Sequence, residues 1–105
     1  MLGVRDTRRV AWRRAHARRH YIGYVTVTED TVRLAGREGS SGIDVSLSIP
    51  HDAIRTVRVA RNAGEEVVGE RSVVLELRDE EPIFLRPLAI GRLDLDGFAR
   101  KLRAG

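Results

Sequence analysis

From Tyr21 onward the chain alternates apolar and polar residues with a period of two. In "YIGYVTVT", residues 21–28, Val25 and Val27 oppose Tyr24, Thr26 and Thr28; Glu29-Asp30 supplies turn chemistry, and "TVRLAG" resumes with Val32 and Leu34. This pattern predicts a hairpin. After the loop "REGSSG", the stretch "IDVSLSI" sets Ile43, Val45, Leu47 and Ile49 on one face and Asp44, Ser46 and Ser48 on the other, so one face is core and one is wet. Pro50 has no N–H for a ladder and ends that strand, with "HDA" as a corner into "IRTVRV", where Val57 and Val59 flank Arg58. Two more strands follow, "SVVLELR" with Val73, Leu75 and Leu77 facing in, and "PIFLR", joined by the acidic turn "DEE".

The period changes at the end of the chain. Leu95, Phe98, Ala99 and Leu102 recur at i, i+3, i+4 and i+7, one helical stripe, with Arg100, Lys101 and Arg103 pointing away. An amphipathic helix over about residues 94–104 is expected, capped by Asp94 or Asp96 and closed by Gly105. About six antiparallel strands with one terminal helix make an α+β, capped-barrel pattern. A seventh strand would come from the N-terminal residues or from the stretch around Leu85 to Leu88.

The order of these elements resembles the pleckstrin-homology-like superfold, GRAM-type members included, over residues 21–103. Its carriers are "YIGYVTVTEDTVRLAG", "IDVSLSIP", Ile54, Val57 and Val59, two further strands, and "LDGFARKL". The resemblance implies a small antiparallel β-sandwich or partly open barrel of six to seven strands capped by a C-terminal amphipathic helix. That helix usually carries a Trp in the family; the only Trp here is Trp12, and Phe98 stands in its place. Phosphoinositide-binding members present Lys and Arg on the first hairpin loop, because a multiply charged headgroup needs several fixed donors. Here that loop is Thr28-Glu29-Asp30-Thr31, and other loops carry Glu65, Glu66, Glu70, Asp79, Glu80 and Glu81. What the resemblance leaves is contact with a protein or peptide, along an exposed strand edge or in the groove beside the closing helix.

Charge divides the chain at residue 20. The net +4 separates into +6 over residues 1–20 and −2 over residues 21–105, so the basic character is confined to an Arg-rich leader. In "RRVAWRRAHARRH" the candidate binding residues are Arg8, Arg9, Trp12, Arg13, Arg14, Arg18 and Arg19. Thr7 is a possible cap, and Ala11, Ala15 and Ala17 are good helix formers. Three readings of this leader stay open: a helix or extended segment packing Val10 and Trp12 on the acidic surface of the domain, an arm on an anionic lipid surface, and an arm on nucleic acid. The chain thus divides into a leader, 1–20, and a barrel domain, 21–105.

Catalytic chemistry finds little footing. His16 and His20 have metal-pair spacing on a helix, but arginines crowd them and no acid or Cys is near to complete a site. His51-Asp52 are adjacent and point apart in a turn, with no nucleophile beside them. "GREGSSG" opens a strand rather than a helix, so it reads as a flexible hairpin loop and not a phosphate cradle. "RNAGEEVVGER" is a second glycine-punctuated loop, in which Val67-Val68 is either a small contact site or the start of the next strand. With no cysteine, no apolar leader and no long apolar run, the expectation is a cytoplasmic, non-enzymatic interaction module without a cofactor. Its partner is an unidentified protein or peptide, with anionic lipid or nucleic acid as the alternative through residues 1–20.

Overall fold

The computed structural model describes residues 4–88 and 94–103. Seven antiparallel strands form one sheet: β1 (Val4–Arg14), β2 (Tyr21–Thr28), β3 (Thr31–Glu38), β4 (Asp44–Pro50), β5 (Ile54–Val59), β6 (Val73–Leu77) and β7 (Ile83–Pro87), followed by one helix, α1 (Leu95–Leu102). The spatial order is β4-β3-β2-β1-β7-β6-β5, so β4 and β5 are the two edges. Only the 3-10 turn His51–Ala53 links these edges. Four residue steps reach at most about 14 Å, whereas a flat sheet of this order would be about 29 Å across. The sheet must therefore curl until its edges approach at that corner, and it forms a half-barrel.

The Arg-rich segment is the centre of this sheet. Its alanines suit a helix, but the pattern from Val10 onward fits a strand buried on both faces. Val10 and Trp12 enter the inner core and Ala11 enters a second cluster on the outer face. Burial on both sides outweighs helix propensity. β1 pairs with β2 from Val4 to Trp12 and with β7 from Val10 to Arg14, supplying the seventh strand. The expected leader is thus not an appendage. Val10 and Trp12 pack in the core by apolar burial and ladder bonds, not on the surface by charge.

Trp12 bridges the curled sheet. Its indole Nε1 donates to Ala35 O at 3.2 Å, reaching over β2 to β3, and its ring stacks on Tyr21 with centroids 4.6 Å apart. Gly23 and Gly36 leave the room: a Cβ on Gly23 would stand 2.0 Å from Ala35 O, and one on Gly36 3.0 Å from Trp12 Nε1. The helix lies inside the curl against β5 and β6, burying Phe98, Ala99 and Leu102. Asp94 caps it by accepting from Gly97 N at 2.9 Å. The expected closing residue, Gly105, lies outside the described residues. Among the described residues no helix is long and apolar enough to cross a membrane.

Candidate functional site

The two edges of the sheet are finished differently. On β4, Glu38 N donates to Ile43 O and His51 N to Asp30 O, with Gly36, Leu34 and Val32 facing Val45, Leu47 and Ile49 between them. Antiparallel ladders alternate, so these odd-numbered residues bond to β3, and the backbone groups of Asp44, Ser46 and Ser48 turn outward. All three residues are exposed, and β4 has no second strand partner among the described residues. Below them Val45 and Leu47 are only half-buried, and Ile43, expected on the inner face with them, is 57% exposed. Among the described residues no lysine, bulge or covering helix guards this edge; Pro50 stands only at its end.

The β5 edge is guarded. Ala60 N donates to Ser72 O, so by the same alternation Val57 and Val59 turn outward. Arg103, just past α1, places Nε and Nη2 on Val57 O at 3.0 and 2.8 Å. A register shift lies between Ile54 and Thr56. The groove between this edge and the helix holds about 490 Å3, floored by Ile54, Val57 and Leu102 and rimmed by His51, Arg55 and Arg103. Sequence reasoning left a strand edge and this groove equal as docking places; the structure distinguishes the two edges for strand addition, because the outward carbonyl at Val57 is already occupied.

The residues singled out in the N-terminal segment do not converge on one surface. Trp12 is fully buried. Arg13 is consumed by the fold: Nε donates to Glu66 O and Nη2 to Gly64 O, both at 3.0 Å, Nη1 donates to Ala15 O at 3.0 Å, and the guanidinium lies 4.7 Å over the Phe84 ring. Arg8 and Arg14 are half-buried on β1. Arg18 and Arg19 sit in the β1–β2 connection, with Arg19 3.6 Å from Glu38. Arg9 is exposed on the outer face, directly across from Tyr24 of β2. Sequence reasoning passed over Tyr24 and Ile22, which are 55% and 43% exposed on that face. Shallow grooves of about 420 and 370 Å3 flank Tyr24, with Arg33 in the first and Arg37, paired to Asp44 at 3.0 Å, in the second.

The remaining candidates are structural. His16 Nδ1 meets Glu81 Oε2 at 2.7 Å, an acid brought from the β6–β7 turn. His51 Nε2 lies 2.8 Å from Thr28 O, and Asp52 contributes its carbonyl to Arg78 Nε. The loop after β3, expected to be flexible, is tied by Glu38, whose carboxylate accepts from Ser40 N, Ser40 Oγ and Ser41 N. Those donors, the Ser40 hydroxyl first, pull the Glu38 pKa down to about 2. In the second loop Glu65 is also lowered to about 2, chiefly by Arg58, whose guanidinium it meets at 2.6 Å. Of the two valines there, Val67 is fully buried, while Val68 is exposed at the tip of a turn with φ +52° beside Gly69 at +75°.

No family model matches this chain, and no curated protein matches it. A search of solved structures finds a similar fold in the C-terminal domain of an unknown protein from Leishmania infantum, with a TM-score of 0.63, 17% identity, and coverage of 96% of this chain and 81% of that one.

Proposed function

We propose that the chain is a non-enzymatic interaction module of pleckstrin-homology-like type that takes an extended protein segment as an added strand on β4. The element order, seven strands then a helix packed inside their curl, supports the fold side of this reading. The observation that carries the function is the open edge. Asp44, Ser46 and Ser48 direct backbone donors and acceptors outward beside half-covered Val45 and Leu47. An added strand would satisfy the first and cover the second with every other side chain.

The test is a library of extended peptides selected on the full chain. Peptides that shift the amide signals of Asp44, Ser46 and Ser48, and that lose binding in Ser46→Pro, support the reading. Ser46 spends its N–H on no ladder bond, so proline there removes an outward donor and spares the β3–β4 pairing. Peptides that instead shift Val57 and Leu102, binding indifferent to Ser46→Pro, or no binder at all on the monomeric chain would overturn it.

A second reading rests on Arg9 beside Tyr24, with Arg33 across the same outer face. Cations around an exposed ring suit a polyanion such as single-stranded nucleic acid. In this reading the alternative partner lies on the sheet rather than on a free arm. Retention on heparin or an oligonucleotide that falls with salt and is lost in Arg9→Ala with Arg33→Ala supports it; retention unchanged in that variant refutes it.

A further inference from the structure

We propose that the strand which completes β4 is the β4 of a second copy of this chain, paired antiparallel about a two-fold axis through Ser46. The inference rests on the open-edge reading and names its occupant. Every position in this register matches. The outward-bonding residues meet one another, Asp44 with Ser48 of the partner subunit, Ser46 with its own counterpart, and Ser48 with Asp44 of the partner subunit. Such pairs exchange two bonds each, about six main-chain hydrogen bonds in all. Between them, on the inner face, Val45 lies across from Leu47 of the partner subunit and Ile43 across from Ile49 of the partner subunit.

This pairing explains three features that a lone chain leaves without a purpose. Ile43 is 57% exposed at the start of an otherwise inward-facing apolar row, and the partner strand covers it. Val45 and Leu47 are half-buried for want of a neighbour on one side. Small hydroxyl side chains at Ser46 and Ser48 let a second outer face approach with no like charges opposed. The register is also specified. Sliding by two residues one way sets Ile43 opposite His51 rather than Ile49; sliding the other way sets Ile49 opposite Ser41. The β5 edge offers no such match, because Arg103 already holds the Val57 carbonyl.

An interface of one strand pair is small, so association on the order of micromolar is expected. Sedimentation velocity of the full chain from about 1 to about 500 µM, spanning that range, tests it. The expected result is a rise from the 11.8 kDa monomer toward twice that mass. Because residue 46 faces itself only in this register, Ser46→Lys and Ser46→Glu are each expected to weaken association at least tenfold, and their mixture to restore it. Exposed on an edge, neither change threatens the fold, and circular dichroism confirms that each variant remains folded. A wild-type chain that stays monomeric throughout overturns the inference. So does a dimer indifferent to both substitutions, or a mixture that fails to reassociate. If the chain is monomeric while selected peptides still shift Asp44, Ser46 and Ser48, self-pairing falls and strand addition stands. If no peptide binds and no dimer forms, both fall.

Discussion

Strands β2, β3 and β4 bury one face, whereas β1, β7 and β6 bury both over the stretch where they meet. The inner face is shared: Val25, Leu34 and Ile49 join Trp12, Leu75, Leu85 and the helix residues Phe98 and Leu102 in one cluster. The outer faces diverge. On β2–β4 that face carries Ile22, Tyr24, Arg33, Ser46 and Ser48 and meets solvent. On β1, β7 and β6 it carries Ala11, Phe84 and Val74, roofed by Ala60 and Val67 from the loop between β5 and β6. One half of the sheet is therefore finished by the domain itself. The other is a one-sided layer ending in an open edge, where further contacts can be added at little cost to the fold.

The strand that joins the halves carries the largest expected effect. A chain beginning at Tyr21 loses the strand that pairs with both β2 and β7, and it is expected not to fold cooperatively. Trp12→Ala keeps the strand but removes a fully buried indole, its stack on Tyr21 and its bond to Ala35, and is expected to cost about 3 to 5 kcal/mol in denaturant unfolding. A truncated chain that unfolds as sharply as the full one would mean that β1 is dispensable and that the two halves do not depend on it.

Equivalent truncations on the two outer faces sharpen the contrast. Phe84→Ala empties the roofed side and is expected to cost about 3 kcal/mol or more. Tyr24→Ala on the bare side is expected to stay within about 0.5 kcal/mol. Phe98→Ala on the shared inner face belongs with Phe84, and Arg100→Ala on the exposed side of the helix with Tyr24. Thermal or urea unfolding of these variants checks the pattern. Similar costs at Phe84 and Tyr24 would erase the distinction between the halves.

This asymmetry also explains what could be read from the sequence. Strict alternation in "IDVSLSI" and "YVTVT" is the signature of a half-exposed sheet, and β2, β3 and β4 were legible for that reason. The closing helix was legible from Leu95, Phe98, Ala99 and Leu102. "RVAWRR" was not, because consecutive burial of Val10, Ala11 and Trp12 removes the alternation, and the flanking arginines resemble a solvated arm. The runs "VVL" in β6 and "IFL" in β7 carried the same two-sided burial, and with it the hint that something must roof them. Which strands become edges is a matter of topology. Nothing local in "DVSLSIP" announces that β4 has one neighbour, so the candidate site was out of reach even though its strand was not.

Arg9 and Arg13 are chemically identical and stand on the same face of the same strand, one beside each half. Arg13 holds the roof through Glu66 O and Gly64 O, whereas Arg9 lies in solvent beside Tyr24. A lysine cannot reproduce a forked set of donors. Arg13→Lys is therefore expected to cost about 1.5 to 3 kcal/mol, the range for hydrogen bonds to a charged group, and to speed amide exchange at Val67 and Glu70. Arg9→Lys is expected to change neither. Equal behaviour of the two variants would show that the roof stays in place without the guanidinium.

The smallest effect separates the loops of the two halves by acid. Glu38 and Glu65 both have folded pKa values lowered to about 2 from 4.5, so each favours the folded state fully above about pH 4.5, and that contribution fades as pH falls toward 2. The consequences differ because the supports differ. In the bare half the 39–42 turn is closed by Gly42 N donating to Glu38 O and tied by the Glu38 carboxylate accepting from Ser40 and Ser41, and a Cβ added at Gly39 or Gly42 would meet no atom within 4 Å. In the roofed half Glu65 accepts from Arg58 and from Arg61 N, but the same loop is also anchored by buried Val67 and by Arg13. Protection of the Ser40 and Ser41 amides, taken relative to the intrinsic exchange rate at each pH, is therefore expected to fall between pH 4.5 and 2 before protection at Val67 does. Glu38→Gln, which keeps the shape and loses the charge, is expected to give the open-turn exchange rate already at neutral pH. Simultaneous loss of protection at Ser41 and Val67 in the wild-type chain would mean that acid opens the molecule as one unit and that the two loops are not held independently.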